Sequence, residues 1–334
     1  MPSLLQFHSD SATFQQSRFL VTGGAGFIGS HIVDYLMQNN AAEVVVIDNL
    51  SEGYKENIAH WFNDVRFRLI EGDICNYETV KNAMKGIDFV SHQAALGSVP
   101  RSIKDPIATN NANVTGFLNV LNAAREAQVK RMVFASSSSV YGDSPTLPKV
   151  ENQIGQPLSP YAVSKRVNEL YADVFHKTYG MEVIGLRYFN IFGPRQNPDG
   201  PYAAVVPLFI RSILNDQPPF INGDGGQTRD FTFVENAVQA NIKGLFTSHP
   251  DAPGKIYNVA VGERVSILEM YQILRDFSGR GVAPNHRASR EGDIRDSLAN
   301  INLAKTLLGY EPQVKMREGL QRTLTATKQQ HGMA

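Results

Sequence analysis

Tyr161 and Lys165 stand four residues apart in Tyr161-Ala162-Val163-Ser164-Lys165, a spacing that on a helix sets both side chains on one face. A free phenol, with a pKa of about 10, is a poor base at neutral pH. A neighbouring ammonium, and the positive charge of an oxidised nicotinamide, favour the phenolate and fit it for moving protons. Upstream, Thr22-Gly23-Gly24-Ala25-Gly26-Phe27-Ile28-Gly29 satisfies G-x-G-x-x-G through Gly24, Gly26 and Gly29, and G-x-x-G-x-x-G through Gly23, Gly26 and Gly29. The run follows apolar Phe19-Leu20-Val21 and precedes helical spacing at Ile32, Val33, Leu36 and Met37. In that context the glycines predict a tight strand-to-helix turn whose backbone approaches a pyrophosphate, held by the free N–H groups of the helix start that contains Phe27 and Ile28. Each signal alone has a plain alternative: a bare turn for the glycines, a surface pair for Tyr161 and Lys165.

Asp48 closes the next apolar run, Val44-Val45-Val46-Ile47, about 20 residues on, where a carboxylate accepts hydrogen bonds from both ribose hydroxyls and repels a 2′-phosphate. With Asn49 beside it, this favours NAD over NADP; the alternative is a turn begun by Asp48-Asn49. Asp73-Ile74, after Phe67-Arg68-Leu69-Ile70, offers a contact to adenine or, equally, a strand-end turn.

The elements that must position these residues follow from alternation. Phe89-Val90 leads to His92, Arg131-Met132-Val133-Phe134 leads to Ser136, and Val183-Ile184-Gly185-Leu186-Arg187 follows. Helices are expected at 76–84, 113–127 and 160–179. Short apolar strands alternating with helices indicate an α/β, Rossmann-type, doubly wound parallel sheet. From residue 188 on, Pro194, Pro198, Pro201, Pro207, Pro218 and Pro219 shorten the elements. Residues 1–187 are therefore read as the NAD-binding domain and 188–334 as a smaller α/β substrate domain, with a segment near 230–260 returning to the first.

The chain has 334 residues, with Lys+Arg and Asp+Glu balanced at 32 each. No global field selects nucleic acid or an anionic membrane, so any anionic ligand must meet a few placed cations. A single cysteine, Cys75, permits no internal disulfide, and the eight histidines show no metal-ligand spacing; a reducing, cytoplasmic setting is expected. The first 18 residues are polar and read as a short arm or helix rather than a secretory signal. No apolar stretch reaches the roughly 20 residues of a membrane span.

Across nearly its whole length the chain resembles the extended short-chain dehydrogenase/reductase family, and within it the nucleotide-sugar 4-epimerases. The matching segments are T-G-G-A-G-F-I-G-S, H-Q-A-A, S-S-S-S-V-Y-G, S-P-Y-A-V-S-K, L-R-Y-F-N-I-F-G-P-R, G-D-G-G-Q-T-R-D-F and R-E-G-D. Ala94-Ala95-Leu96-Gly97-Ser98-Val99-Pro100-Arg101-Ser102 is similar to the subgroup acting on N-acetylated sugars, the UDP-N-acetylglucosamine 4-epimerases of surface-polysaccharide pathways such as O-antigen. The resemblance implies a UDP-sugar substrate, Ser137 bonding the sugar 4-hydroxyl beside Ser138, Tyr161 as base, and Lys165 on the nicotinamide ribose. It implies Gln93, Ala94 and Ala95 against the cofactor. Asn190, Arg229 and Arg290, with Asp293 near the last, are implied for the substrate diphosphate, and Ala204, Val205 and Asn222 for the uridine pocket. Gly97, Ser98, Gln196 and Ser297 are implied around the sugar 2-substituent, where a small residue at 297 leaves room for an acetamido group; the bland reading of Ser297 is a helix cap.

The reaction so implied is transient oxidation at C4 with hydride returned to the other face of the sugar, by a homodimer. Substrates are UDP-GlcNAc and UDP-GalNAc or the corresponding uronic acids. Related dehydratases carry Asp-Glu after the hydroxyl residue where this chain has Ser138-Ser139, which disfavours dehydration. A net oxidoreductase or decarboxylase on the same fold, and a dinucleotide-sensing binding protein, are the competing readings; loss of the Tyr-Lys pair would mark the last, and both residues are present.

Overall fold

The computed structural model describes residues 11–199, 203–288, 295–330 and 332. Seven parallel strands form the central sheet: β1 (Arg18–Thr22), β2 (Glu43–Asp48), β3 (Phe67–Glu71), β4 (Phe89–His92), β5 (Arg131–Ser137), β6 (Val183–Tyr188) and β7 (Ile256–Val259). Their order is β7-β6-β5-β4-β1-β2-β3, so the direction of winding reverses between β1 and β4, and ligands bind at the carboxyl ends beside such a switch.

Strand alternation builds two cores. Phe19, Val21, Val44 and Val46 face α1 (Phe27–Gln38), while Leu20, Val45 and Ile47 join the opposite layer with α2 (Gly116–Glu126) and α3 (Pro160–Tyr179). A third core, between α4 (Val205–Leu214), α6 (Ile267–Ser278) and α7 (Met316–Gln330), belongs to the smaller part of the molecule. Helix α5 (Val234–Phe246) and β7 are layered onto the central sheet, although they follow α4 in the chain.

Local signals explain most boundaries. Ser159 Oγ accepts from Ala162 N–H at 3.1 Å, Pro160 occupies the first turn, and Gly180 ends α3 in the left-handed region with φ 67°. Asn76 caps the helix Tyr77–Ala83 by accepting from Thr79 N–H at 3.1 Å. The helix expected from 113 begins earlier, at Pro106: Asp105 accepts from Ala108 N–H at 2.9 Å, and the helix runs through a π-type turn over Asn111–Thr115 into α2. No helix among the described residues is long and apolar enough to cross a membrane.

Candidate active site

A cavity of about 850 Å³ opens at the carboxyl ends of the strands around the switch point. Its floor is the glycine turn. Gly23 has φ +69°, and a Cβ added there would stand 2.7 Å from Ala94 N; one added at Gly29 would stand 2.1 Å from Gly23 O. Gly26, Phe27 and Ile28 line the cavity, and no side chain caps the start of α1. The residues present thus fit a dinucleotide: bare backbone and uncapped N–H groups for its pyrophosphate.

Asp48, at the end of β2, accepts from Ala25 N–H and Leu50 N–H, each at 2.9 Å. It is both a turn former and a cavity wall, and burial raises its pKa against those two hydrogen bonds. Asn49 donates to Asp73 at 3.3 Å, and Cys75 N–H donates to the same carboxylate at 2.8 Å, holding Asp73 below its ordinary pKa. With Ile74 these residues wall one end of the cavity. Gln93, Ala94 and Ala95 line it beyond β4; Gln93 donates to Ser91 and Asn241 at 3.0 Å each and accepts from Tyr188 Oη at 3.0 Å. Buried His92 does not line the cavity. Its Nδ1 lies 2.8 Å from Thr22 Oγ1, and burial together with Lys165 lowers its pKa to about 3, so it is a neutral strand-end residue.

Tyr161, Lys165 and Ser137 meet in the same cavity. Lys165 donates to the carbonyl of Ala135 at 2.8 Å, and its Nζ lies 5.9 Å from the Tyr161 ring centre. Burial lowers its pKa to about 8, opposed by the charge of Glu169. The Tyr161 phenol moves the other way: burial raises its pKa while hydrogen bonding to Ser137 opposes the rise. For this phenol desolvation outweighs the hydrogen bond to Ser137. Ser136 and Ser137 both line the cavity, but Ser136 Oγ is committed to Glu169, to which it donates at 2.6 Å, whereas Ser137 Oγ accepts from Ser139 N–H at 3.1 Å and bonds Tyr161.

The other expected substrate residues are spread more widely. Gly97 and Asn190 line the cavity. Asn190 has φ +39° and donates to Asp230 O at 3.1 Å; Asp230 itself, raised to about 6 by burial, accepts from Val261, Gly262 and Ala299 N–H. Ser98, Ser138, Gln196, Ala204, Val205, Asn222, Arg229 and Ser297 do not line that cavity. Ser98 caps the helix Val99–Lys104, and Ala204 precedes α4. Gln196 donates to Ile191 O at 3.1 Å, leaving its buried Oε1 without a hydrogen bond. Asn222 Oδ1 accepts from Arg287 at 2.5 Å. Arg229 donates to Thr228 O at 2.8 Å and Arg295 O at 3.1 Å, and Ser297 N–H donates to the same Thr228 carbonyl at 3.1 Å, so positions 229 and 297 sit on neighbouring segments. Ser297 caps no helix, against the bland reading. Arg290 and Asp293 lie outside the described residues. Tyr188, Glu52 and Asn197, which line the cavity, were not singled out from the sequence. Tyr188 was open to discovery by alternation along β6, which sends it to the face opposite Arg187.

The chain matches the NAD dependent epimerase/dehydratase family over residues 19–260. A protein of Methanocaldococcus jannaschii named putative UDP-glucose 4-epimerase is 38% identical over 311 residues, covering 92% of this chain and 98% of that protein. Among solved structures, the UDP-N-acetylglucosamine 4-epimerase from Methanobrevibacter ruminantium M1 in complex with UDP-N-acetylmuramic acid has a TM-score of 0.89 at 39% identity, covering 94% of this chain and 99% of that one. The UDP-glucuronic acid 4-epimerase of Bacillus cereus, in complex with UDP-glucuronic acid and NAD, has a TM-score of 0.87 at 34% identity with coverages of 94% and 99%.

Proposed function

Because this chain belongs to the NAD dependent epimerase/dehydratase family, with UDP-sugar 4-epimerases among its near relatives, we propose that it is a UDP-sugar 4-epimerase preferring N-acetylated substrates, UDP-GlcNAc/UDP-GalNAc or their uronic acids. The observation that carries the reading is the meeting of Tyr161, Ser137 and Lys165 with the glycine turn in one cavity of about 850 Å³, within the size range of dinucleotide and substrate sites.

The pyrophosphate would lie on Gly23, Gly26 and the start of α1, the adenosine against Asp48, Asn49, Asp73 and Ile74. When bound, NAD supplies a reversible hydride acceptor for C4 and a positive charge beside the phenol. Tyr161 accepts the 4-hydroxyl proton and returns it; Ser137 hydrogen-bonds the same hydroxyl and orients it. Lys165, seated on Ala135 O, holds the nicotinamide ribose and favours the phenolate. Asn190, Arg229 and Arg290 grip the diphosphate, and the arginines suit it because each guanidinium forks two hydrogen bonds. The carboxylates that line the cavity, Asp48, Glu52 and Asp73, stand at the end of β2 and on the segments after β2 and β3, none of them next to Ser137 in the chain, which favours epimerisation over dehydration.

Preference for an acetamido group is supported by Gly97. Its φ is not in the left-handed region, and an added Cβ would meet nothing within 4 Å, so neither strain nor packing calls for glycine; open space in the cavity does. A homodimer is supported by Val163 and Val174, exposed on α3 beside exposed Ile107, while Leu121, Ala124 and Phe175 of the same helical layer are buried packing residues. The lone Cys75 suits a reducing cytoplasm.

Purified protein incubated with UDP-GlcNAc and catalytic NAD should produce the C4 epimer by ¹H NMR with no net NADH, and Ser297→Tyr should suppress acetylated substrates selectively. Stoichiometric NADH or carbon dioxide would overturn the reaction; an unchanged preference in Ser297→Tyr would overturn the pocket.

A further inference from the structure

One helical turn beyond Lys165, α3 carries a carboxylate that the chemistry above leaves unused. Glu169 is 2% exposed. Its Oε1 accepts from Ser136 Oγ at 2.6 Å and Arg187 Nε at 2.8 Å; its Oε2 accepts from Arg187 Nη2 at 2.9 Å and Arg166 Nη1 at 3.0 Å. Ser136 and Arg187 are register partners on β5 and β6. Their side chains therefore rise from one face of the sheet, and a single carboxylate clamps both strand ends to α3.

Ser136 has a decisive position. Before it stands Ala135, whose carbonyl receives Lys165, and after it Ser137, which bonds Tyr161. Fixing Ser136 fixes both attachment points. The electrostatics run through the same carboxylate. Lys165 faces Glu169 and Tyr161 from its own helix, neutral His92 from β4 and the Ala135 carbonyl from β5; Glu169 is the anion that sustains the ammonium against burial. Glu169 in turn faces Arg166 on α3 and Arg187 on β6, and Arg187 is stacked on Tyr141 and donates to Glu151 O.

We propose that Glu169 is a positioning residue for the Tyr161–Lys165 pair: from one helical turn beyond Lys165, its carboxylate locks the end of β5 on which Lys165 and Ser137 are seated. The proposal deepens the catalytic reading of Tyr161 and Lys165 and rests on it.

Lysine side-chain ¹³C NMR of the NAD-free protein, with the Lys165 signal assigned by its loss in Lys165→Arg, reads the ammonium directly. In Glu169→Gln the Lys165 titration midpoint should fall by roughly one pH unit, the effect of removing a near opposite charge, and Glu169→Asp should restore most of it. Glu169→Gln also leaves Arg187 buried and unpaired, which is costly. Should that variant not fold, Glu169→Gln/Arg187→Met is compared with Arg187→Met, since both lack the guanidinium, and the same fall is expected. In the holoenzyme the alkaline limb of the kcat profile should move to lower pH by a similar amount, with KM little changed. An unmoved Lys165 midpoint, or a loss of turnover uniform across pH, overturns the proposal. Full epimerisation by Tyr161→Phe would instead sink the catalytic reading and leave the NMR result standing.

Discussion

Replacing Lys165 by methionine should abolish turnover and yet stabilise the NAD-free protein. The ammonium is 2% exposed, and its pKa is displaced from 10.5 to about 8. At about 1.4 kcal/mol per pH unit, ionised Lys165 costs the folded state about 3 kcal/mol below pH 8. Methionine removes that cost and fills a similar volume, but loses the bond to Ala135 O, worth about 1 kcal/mol. A net gain of about 2 kcal/mol is expected at pH 7. The sign of the pH dependence follows from proton counting. Between pH 8 and 10.5 the unfolded chain holds the Lys165 proton more tightly than the folded one, so wild-type stability rises with pH there, and Lys165→Met lacks that rise. The variant's advantage should be constant from pH 6 to 7.5 and gone by about pH 10, because the other titrating groups cancel in the difference. Urea unfolding of both proteins, stripped of NAD, at pH 7 and pH 10 measures it. A variant no more stable than wild type at pH 7, or an advantage identical at the two pH values, would refute the reasoning.

Two glycines of one cavity should behave oppositely. Gly29→Ala drives a Cβ to 2.1 Å from Gly23 O; it should destabilise by about 1–3 kcal/mol and abolish NAD retention, read by thermal unfolding and by cofactor content after gel filtration. Gly97→Val has free space and should leave stability within about 0.5 kcal/mol while raising KM for acetylated UDP-sugars more than for UDP-glucose. Asp48→Ala leaves the N–H groups of Ala25 and Leu50 without their acceptor; a loss of about 1–3 kcal/mol and weaker NAD binding by calorimetry are expected.

What was legible in the chain divides along a physical line. The central sheet shows itself because strands such as those over 44–47 and 132–134 are short apolar runs and α3 carries its own stops, whereas β7, with Asn258 buried inside it, has no such run. Ser159-Pro160 and Gly180 bracket α3 without help from any distant residue. The cofactor half of the site inherits that clarity, since the glycine turn and Asp48 lie next to the strands that place them. The substrate half has no such local code. Thr228–Arg229 is a two-residue strand, paired with Val265–Ser266 on one side and bridged to Asp296 on the other, so the neighbours that place Arg229 and Ser297 come from far along the chain.

The four serines mark the same boundary within a few residues. By type they are identical, and motif spacing favours Ser137; what separates it from Ser136 is the pleat. Because Ser136 is in register with Arg187, one carboxylate on α3 claims both, and the adjacent residues of β5 are left to serve Lys165 and Tyr161. The Ser137 hydroxyl is thus left beside Tyr161 by its neighbour's commitment to Glu169. The same commitment makes the pair sensitive to a residue it does not touch: any change that frees Ser136 from Glu169 loosens the strand end to which the ammonium is bound. On the proposed reading, the geometry of the Tyr161–Lys165 pair is a property of the β5–α3 contact as a whole, and a tyrosine and lysine at the same spacing on an unclamped helix would lack it.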